Sequence, residues 1–255
     1  MTDLTEKTAI ITGASRGIGA STARHFAELG ANVVLAARSE TAIKHLAQEL
    51  CDNGLSALAV PCDVADATAV QHLIATATDT FGNLDMLVNN AGLIDPITTL
   101  ADSDPAEWSK VIDVNVKGVY HGLRYALPIM RAQGAGTIIN ISSGAANSFL
   151  EGWSHYCASK AAVVRLTGIA HKENADAGVS VVGLSPGTVA TDMMATIKAS
   201  GINPVSQLSP GVHIPTEWVA QALAYLCGPN GKDFAGQDFS LKSNEGRSLL
   251  GLPPV

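Results

Sequence analysis

The chain has 255 residues, of which 47% are hydrophobic and 15% charged, and its formal net charge is −7 at pH 7. This composition is too apolar for a disordered chain, and the acidic excess argues against a broad nucleic-acid or anionic-membrane surface. The four cysteines show neither metal-ligand nor disulfide-framework spacing. No signal peptide and no apolar run of membrane-spanning length is recognisable. We therefore expect a cytoplasmic globular protein with reduced cysteines, and we assign no metal site.

Strand and helix patterns alternate along the whole chain. Short β-branched or apolar runs predict seven strands, at residues 8–12, 33–37, 55–61, 85–89, 136–141, 179–184 and 237–241. Helical patterns end near residue 29 and recur at 40–52, 66–81, 105–132 (with a break expected at Pro128), 156–177 and 217–227. This order predicts one α/β domain over residues 1–255, doubly wound, with a mostly parallel seven-stranded sheet and helices on both faces.

Two segments fall outside this alternation. Residues 188–215 are rich in Pro, Gly and Ser, and we expect them to form an irregular substrate loop. Residues 242–255 form a tail that could cap the substrate pocket, pack on another subunit or extend freely.

The first predicted strand ends in a glycine-rich turn. Gly13, Gly17 and Gly19 have the spacing Gly-x-x-x-Gly-x-Gly, and a helical pattern follows. A strand, a glycine turn and a helix in this order direct free backbone N–H groups at a phosphate. Three glycines would also suit a simple tight turn, but their place between the first strand and the first helix favours dinucleotide binding.

Polar or turn-forming residues follow the later strands where each one ends. Arg38 follows the second strand, Asp63 the third, Asn90 the fourth, Ser143 the fifth and Pro186 the sixth. In a parallel sheet these ends share one edge, where ligands bind. The sequence therefore predicts a single functional cleft at this edge.

Tyr156 and Lys160 are four residues apart in a helical pattern. Side chains at this spacing lie on one face of a helix, so the phenol and the ammonium can converge. A phenol normally titrates near ~10, and a nearby positive charge favours phenolate. Alone, the pair is equally consistent with one packed tyrosine and one solvated lysine.

Several motifs together resemble the short-chain dehydrogenase/reductase superfamily, in its compact single-domain branch, over about residues 5–241. They are the segments 12–19 and 89–92, Asn115, Ser143, Tyr156-x-x-x-Lys160 and Pro186-Gly187. The chain departs from the family near its end, where Lys242-Ser-Asn-Glu-Gly replaces the Asp-Gly-Gly of many members.

The resemblance implies a catalytic role for four residues. Tyr156 would be the general acid or base, and Lys160 would lower its pKa and bind the nicotinamide ribose. Ser143, with Ser142 as its rival, would hold the substrate oxygen. Asn115 would position a water that relays protons to Lys160.

The resemblance also implies a nicotinamide cofactor along the cleft. The expected cofactor-binding residues are Gly13, Ser15, Arg16, Gly17, Ile18, Gly19, Arg38, Asp63, Val64, Asn90, Ala91, Gly92, Tyr156, Lys160, Pro186, Gly187, Val189 and Thr191.

The end of the second strand predicts which cofactor is used. NAD-selective sites place Asp or Glu there, about 20 residues beyond the glycine turn, to bind the ribose 2′-hydroxyl. This chain has Ala37 at that position, followed by Arg38, and Arg16 lies within the glycine turn. Two guanidiniums could clamp a 2′-phosphate. We therefore predict NADP(H), with two solvated surface arginines as the alternative interpretation.

Apolar side chains in the loops near the nicotinamide predict the kind of substrate. They are Ile94, Phe149, Leu150, Trp153, Met193, Met194 and Ile197. Few charges accompany them, so we expect a neutral, largely apolar carbonyl compound as substrate. Three further residues are given structural roles: His155 at the surface or an interface, Cys157 in helix packing, and Asp85 near a strand end.

The expected protein is therefore an NADPH-dependent oxidoreductase (EC 1.1.1 type) that reduces a ketone to a secondary alcohol. The alternatives are an NAD-dependent alcohol dehydrogenase, a dinucleotide-sensing regulatory protein and a non-redox enzyme on the same fold. Small and apolar residues on the helix after Tyr156 and the family resemblance both favour a homotetramer, with a dimer as the alternative.

Overall fold

The structure, a computed structural model, describes residues 2–255 and contains one seven-stranded sheet. The strands are β1 (Thr8–Thr12), β2 (Asn32–Ala37), β3 (Ala57–Pro61), β4 (Met86–Asn89), β5 (Gly136–Ile141), β6 (Val179–Ser185) and β7 (Asp238–Ser240). Their order is β3-β2-β1-β4-β5-β6-β7, and every pair is parallel. The predicted α/β class and doubly wound sheet are confirmed.

Helices cover both faces of this sheet. They are α1 (Gly17–Glu28), α2 (Glu40–Asp52), α3 (Ala67–Phe81), α4 (Pro105–Ile112), α5 (Gly118–Gln133), α6 (Ser154–Asn174), α7 (Asp192–Ser200), α8 (Thr216–Cys227) and α9 (Asn244–Ser248). One apolar cluster packs α1, α2 and α8 on the sheet, and a second packs α3, α5 and α6 on the opposite face. Central strands such as β1 and β6 are buried along their whole length, which explains their continuous apolar runs.

The break predicted at Pro128 is wrong. Helix α5 continues through Pro128, and the irregularity lies earlier, in a π-helical turn at Asp113–Lys117 between α4 and α5. A proline removes the hydrogen bond to the carbonyl four residues before it, here that of Arg124. Both residues are exposed, so water can satisfy that carbonyl.

The segment 188–215 is more ordered than predicted. It contains α7, and Val189 forms a parallel bridge with Ile214 near its two ends. The tail is folded as well, because Arg247 donates to the carbonyls of Leu241, Pro253 and Pro254 at 2.8, 3.3 and 2.9 Å. Arg247 therefore joins the end of the tail to Leu241, the residue that follows β7. Within residues 2–255, no helix has both the length and the apolar character needed to cross a bilayer.

Candidate active site

The C-terminal edge of the sheet borders a cavity of about 2300 Å³. Ser143 reaches it from the end of β5, and Tyr156 and Lys160 reach it from the first two turns of α6. Trp153, which precedes α6, packs edge-on against Tyr156 with ring centroids 5.5 Å apart. The structure thus brings together three of the four predicted catalytic side chains on one cavity wall.

Tyr156 is a buried phenol with 8% of its surface exposed. Burial raises its pKa to about 12, and the neighbouring hydroxyl of Ser143 opposes that rise. Burial is the largest influence on this pKa, and the lowering expected from Lys160 stays a prediction. A phenol in this state is protonated at neutral pH.

Lys160 is a buried ammonium beside this phenol. Its Nζ donates to the carbonyl of Ile141 at 2.7 Å and lies 5.6 Å from the centre of the Tyr156 ring. Burial lowers the pKa of Lys160 to about 8, while the negative charge of Asp238 on β7 acts to raise it. Lys160 can therefore exchange a proton close to neutral pH.

Asn115 lies behind these groups in the π-helical turn. Its side chain accepts from the backbone N–H of Leu93 at 2.8 Å, and donates to the Leu93 carbonyl at 2.9 Å and to Ser159 Oγ at 3.1 Å. Asn115 is 1% exposed and does not line the cavity. It ties the turn after β4 to α6, on which Tyr156 and Lys160 lie.

The two neighbouring serines point to different partners. The hydroxyl of Ser142 is buried and donates to the carboxylate of Asp238. Ser143 accepts from the backbone N–H of Ala145 at 3.2 Å, and its side chain faces Tyr156. This geometry favours Ser143 over Ser142 as the group that meets a substrate oxygen.

The glycine turn fits a dinucleotide phosphate. A Cβ on Gly13 would come within 2.9 Å of the Asn90 amide nitrogen, and one on Gly19 within 2.3 Å of the Gly13 carbonyl oxygen. Thr12 Oγ1 accepts from the backbone N–H of Asn90 at 2.9 Å and fixes the next turn. Helix α1 begins at Gly17 without a side-chain cap, so its first N–H groups are free for an anion.

The end of β2 leaves room for a phosphate on the adenosine side. Ala37 is buried, and the exposed Arg38 lines the cavity. Arg16 also lines it, but its guanidinium pairs with Asp192 on α7 at 3.2 Å. Both side chains of that pair are 76% exposed, so the pair is weak and can open. The two-arginine clamp stays a prediction.

Most of the residues predicted for the cofactor line the cavity. They are Gly13, Ser15, Arg16, Gly17, Ile18, Arg38, Asp63, Val64, Asn90, Ala91, Gly92, Tyr156, Lys160, Pro186, Gly187, Val189 and Thr191. Gly19 does not, because it is buried where α1 crosses the turn.

The predicted substrate residues divide into two groups. Ile94, Trp153 and Ile197 are buried in an apolar cluster against which Leu150, Met193 and Met194 pack, and all six line the cavity. Phe149 is a correction: its side chain is 106% exposed and borders a separate, shallower depression beside Cys157. An aromatic ring in a turn cannot be assigned from sequence to the inside or the outside of a loop.

Two other assignments have clear outcomes. The surface or interface position expected for His155 is wrong, because the ring is 1% exposed and its Nε2 lies 2.8 Å from the Ile94 carbonyl oxygen. The structural role of Asp85 is confirmed: its carboxylate accepts from the backbone N–H of Thr8 at 2.9 Å and from Lys7 at 3.0 Å. Among residues 2–255, no three His, Cys, Asp or Glu side chains cluster in a way that could hold a metal ion.

The tail supplies cavity residues that sequence reasoning missed. Lys242, Arg247 and Val255 all line the cavity. Lys242 lies two residues beyond the end of β7, at the same edge as the other site residues, and this position was a signal that could have identified it.

Comparisons with known proteins agree with this arrangement. The family model described as short chain dehydrogenase matches residues 7–201. A 3-oxoacyl-[acyl-carrier-protein] reductase of Synechocystis is 38% identical over 244 residues, covering 94% of this chain and 97% of that protein. An uncharacterised oxidoreductase of Staphylococcus aureus is 40% identical over 196 residues, covering 77% and 84%. A solved short-chain type dehydrogenase/reductase from Mycobacterium marinum has a TM-score of 0.85 and 33% identity, covering 93% and 94%.

The fold and the site thus define an oxidoreductase that uses a nicotinamide dinucleotide. The chain belongs to the short-chain dehydrogenase/reductase family.

Proposed function

We propose that the protein is a cytoplasmic, NADPH-dependent reductase that converts a neutral, largely apolar ketone to a secondary alcohol. The observation that carries this proposal is the pairing of a protonated phenol, Tyr156, with a buried ammonium, Lys160, on the wall of an apolar-lined cavity.

The chemistry divides between the cofactor and the chain. When bound along the cleft by the glycine turn and the strand ends, NADPH would supply the hydride that the carbonyl carbon needs. Tyr156 gives its proton to the carbonyl oxygen as negative charge develops there, and Ser143 donates a hydrogen bond to the same oxygen. Lys160, with a pKa of about 8, can return a proton to the phenolate. Asn115 bonds to Leu93 and to Ser159, and it therefore holds the turn after β4 against α6, which carries Tyr156 and Lys160.

The proposed direction is reduction, because the cellular NADPH pool is kept reduced. Tyr156 is protonated near neutral pH and therefore carries the proton that reduction consumes. Position 37 holds alanine and not an acidic residue, and Arg38 lines the cavity. Both features support NADPH over NADH as the cofactor.

The substrate proposal rests on the cavity wall near Tyr156. Ile94, Trp153 and Ile197 present apolar surface there, with Met193 and Met194 beside them. The Synechocystis relative is named as a 3-oxoacyl-[acyl-carrier-protein] reductase, so β-keto thioesters belong in the same test as simple ketones.

The test is to incubate purified protein with NADPH and follow nicotinamide absorbance. The panel holds aryl ketones, diketones, acyl thioesters and a phosphorylated sugar, and Tyr156→Phe is the inactive control. We expect turnover of at least one neutral carbonyl compound, with the sugar phosphate poorest. Higher catalytic efficiency on the sugar phosphate than on every neutral ketone would contradict the substrate proposal.

Two other functions would give different results in this test. An NAD-dependent alcohol dehydrogenase would turn over NAD⁺ and an alcohol faster than NADPH and a ketone. A dinucleotide-sensing protein on this fold would bind cofactor without turnover, but the retention of Tyr156, Lys160, Ser143 and Asn115 together argues for catalysis.

A further inference from the structure

Lys242 crosses the cavity wall from the end of β7. Its Cγ lies 2.9 Å from the position that a Cβ on Gly187 would occupy, and its Nζ lies 3.7 Å from the corresponding position on Gly144. Gly144 is the residue next to Ser143. The side chain of Lys242 therefore runs over Gly187, and its ammonium lies beside Gly144, the residue that follows Ser143.

The ammonium of Lys242 is not neutralised by the chain. It is exposed, and among residues 2–255 no carboxylate lies within 4 Å of its Nζ and no acceptor is within hydrogen-bond distance. The other tail cation, Arg247, is satisfied by three carbonyls and lies over the Trp218 ring. Lys160 is held by the Ile141 carbonyl. Lys242 is thus a free positive charge in the described part of the cavity wall.

The reacting ring of the cofactor belongs in this part of the cavity. This step rests on the proposed function: a carbonyl oxygen held by Tyr156 and Ser143 fixes the carbonyl carbon nearby, and the hydride donor must lie in near contact with that carbon. Gly187, which is among the residues predicted to bind the cofactor, and Ser143 then flank the nicotinamide. Lys242 lies along the same two loops.

We propose that Lys242 makes the protein bind the reduced cofactor more tightly than the oxidised one. The oxidised nicotinamide ring carries one positive charge and the reduced ring none, while the rest of the two molecules is the same. An ammonium beside the ring repels only the oxidised form. Lys242 therefore favours binding of NADPH and hastens release of NADP⁺ after each reduction.

The test is to measure dissociation constants for NADPH and NADP⁺ by fluorescence and calorimetric titration, without substrate. Lys242→Gln removes the charge, Lys242→Arg keeps it, and Lys172→Gln removes an exposed lysine of α6 that does not line the cavity. For an exposed charge a few ångströms from the ring, we expect Lys242→Gln to reduce the ratio of the two constants about three- to tenfold, mainly by tighter NADP⁺ binding. Lys242→Arg and Lys172→Gln should keep the wild-type ratio, and high salt should shrink the effect.

An unchanged ratio in folded Lys242→Gln overturns the proposal, with thermal melting used to show that the variant is folded. The proposal is also overturned if that variant keeps the ratio but loses turnover of carboxylate-bearing ketones, since Lys242 would then bind substrate. Repeating the titrations with NADH and NAD⁺ separates this inference from the proposed cofactor. If NADH binds as tightly as NADPH, the proposed 2′-phosphate selection fails, while the reduced-to-oxidised ratio still reports on Lys242.

Discussion

The Lys160 ammonium lies 5.6 Å from the centre of the Tyr156 ring, and burial shifts the pKa values of the two groups in opposite directions. The pKa of the Tyr156 phenol rises to about 12, and the pKa of the Lys160 ammonium falls to about 8. Both shifts favour the neutral form, because taking a charge out of water costs free energy. The pair therefore holds a firmly bound proton on Tyr156 beside a loosely bound one on Lys160.

Tyr156→Phe should lower turnover by about 10²- to 10⁴-fold, since the phenol supplies the transferable proton. Cofactor binding should change little, because the proposed phosphate contacts belong to the glycine turn and not to Tyr156. Tyr120→Phe, at an exposed tyrosine of α5, is the matched control. The measurements are steady-state turnover and a fluorescence titration of NADPH. Retention of more than about a tenth of wild-type activity by Tyr156→Phe would refute its role.

Lys160→Met should make the folded protein more stable at pH 7 while abolishing activity. The pKa of Lys160 is about 8 when folded and 10.5 in the unfolded chain, so between these values the unfolded state binds more protons and wild-type stability rises with pH. Below pH 8 the wild type bears the whole cost of the buried charge, on the order of 3 kcal/mol.

Urea unfolding of both proteins at pH 7 and pH 10 checks this expectation. The advantage of Lys160→Met should be largest at pH 7 and should shrink by pH 10. If Lys160→Met raises the free energy of unfolding by the same amount at both pH values, removal of the lysine charge is not the cause of the increase.

Arg38→Asp should lower catalytic efficiency with NADPH at least tenfold and shift preference toward NADH. A charged hydrogen bond contributes about 1.5–3 kcal/mol, and a carboxylate would repel the 2′-phosphate as well. Efficiency with NADH is the internal control, because it reports folding and catalysis without the phosphate. Equal use of NADH and NADPH by the wild type would rule out a 2′-phosphate site at Arg38.

Gly19→Ala should weaken cofactor binding and destabilise the fold by roughly 1–3 kcal/mol, because the added Cβ would lie 2.3 Å from the backbone oxygen of Gly13. Gly211→Ala is the control, since a Cβ there meets nothing within 4 Å. Thermal melting and NADPH titration measure the two effects. Equal behaviour of the two variants would mean that the turn accommodates a methyl group without strain.

The protein should be a homotetramer, with a dimer as the alternative. Ile169 on α6 is 53% exposed and Tyr120 on α5 is 50% exposed. Phe149, five residues before α6 begins, is fully exposed. Exposed apolar side chains on the two longest helices favour association through them. Light scattering at micromolar concentration measures the assembly, and Ile169→Glu should reduce its mass. A monomeric wild type would contradict both states.

Periodicity and spacing were sufficient to predict the strands and most of the helices, and the family resemblance supplied most of the residues that line the cleft. The carboxyl ends of parallel strands share an edge, so Gly13, Arg38, Asn90 and Ser143 could be placed together without coordinates. Side-chain direction was harder to predict. His155 points inward because the Ile94 carbonyl lies there, and that partner is 61 residues away in sequence.

Long-range pairing also explains the other differences. Arg16 contacts Asp192, which comes from a segment predicted to be irregular. Lys242 reaches the cavity because β7 pairs parallel to β6, with Ser240 opposite Ser185, so that its side chain comes to lie over Gly187. Tyr156 carries a raised pKa because the tertiary structure buries its phenol, which the helix spacing to Lys160 does not reveal.

The π-helical turn at Asp113–Lys117 inserts the equivalent of one extra residue between α4 and α5, which otherwise form one continuous helix. Each residue of an α-helix advances by about 100°, so the apolar faces of α4 and α5 are out of phase by that angle. Deleting one residue there would restore regular winding and rotate Asn115 away from the carbonyl of Leu93. The resulting chain would keep its helical content yet lose the tie between this turn and α6. For this family member, a single-codon deletion would therefore be a sharper probe of the relay than many substitutions.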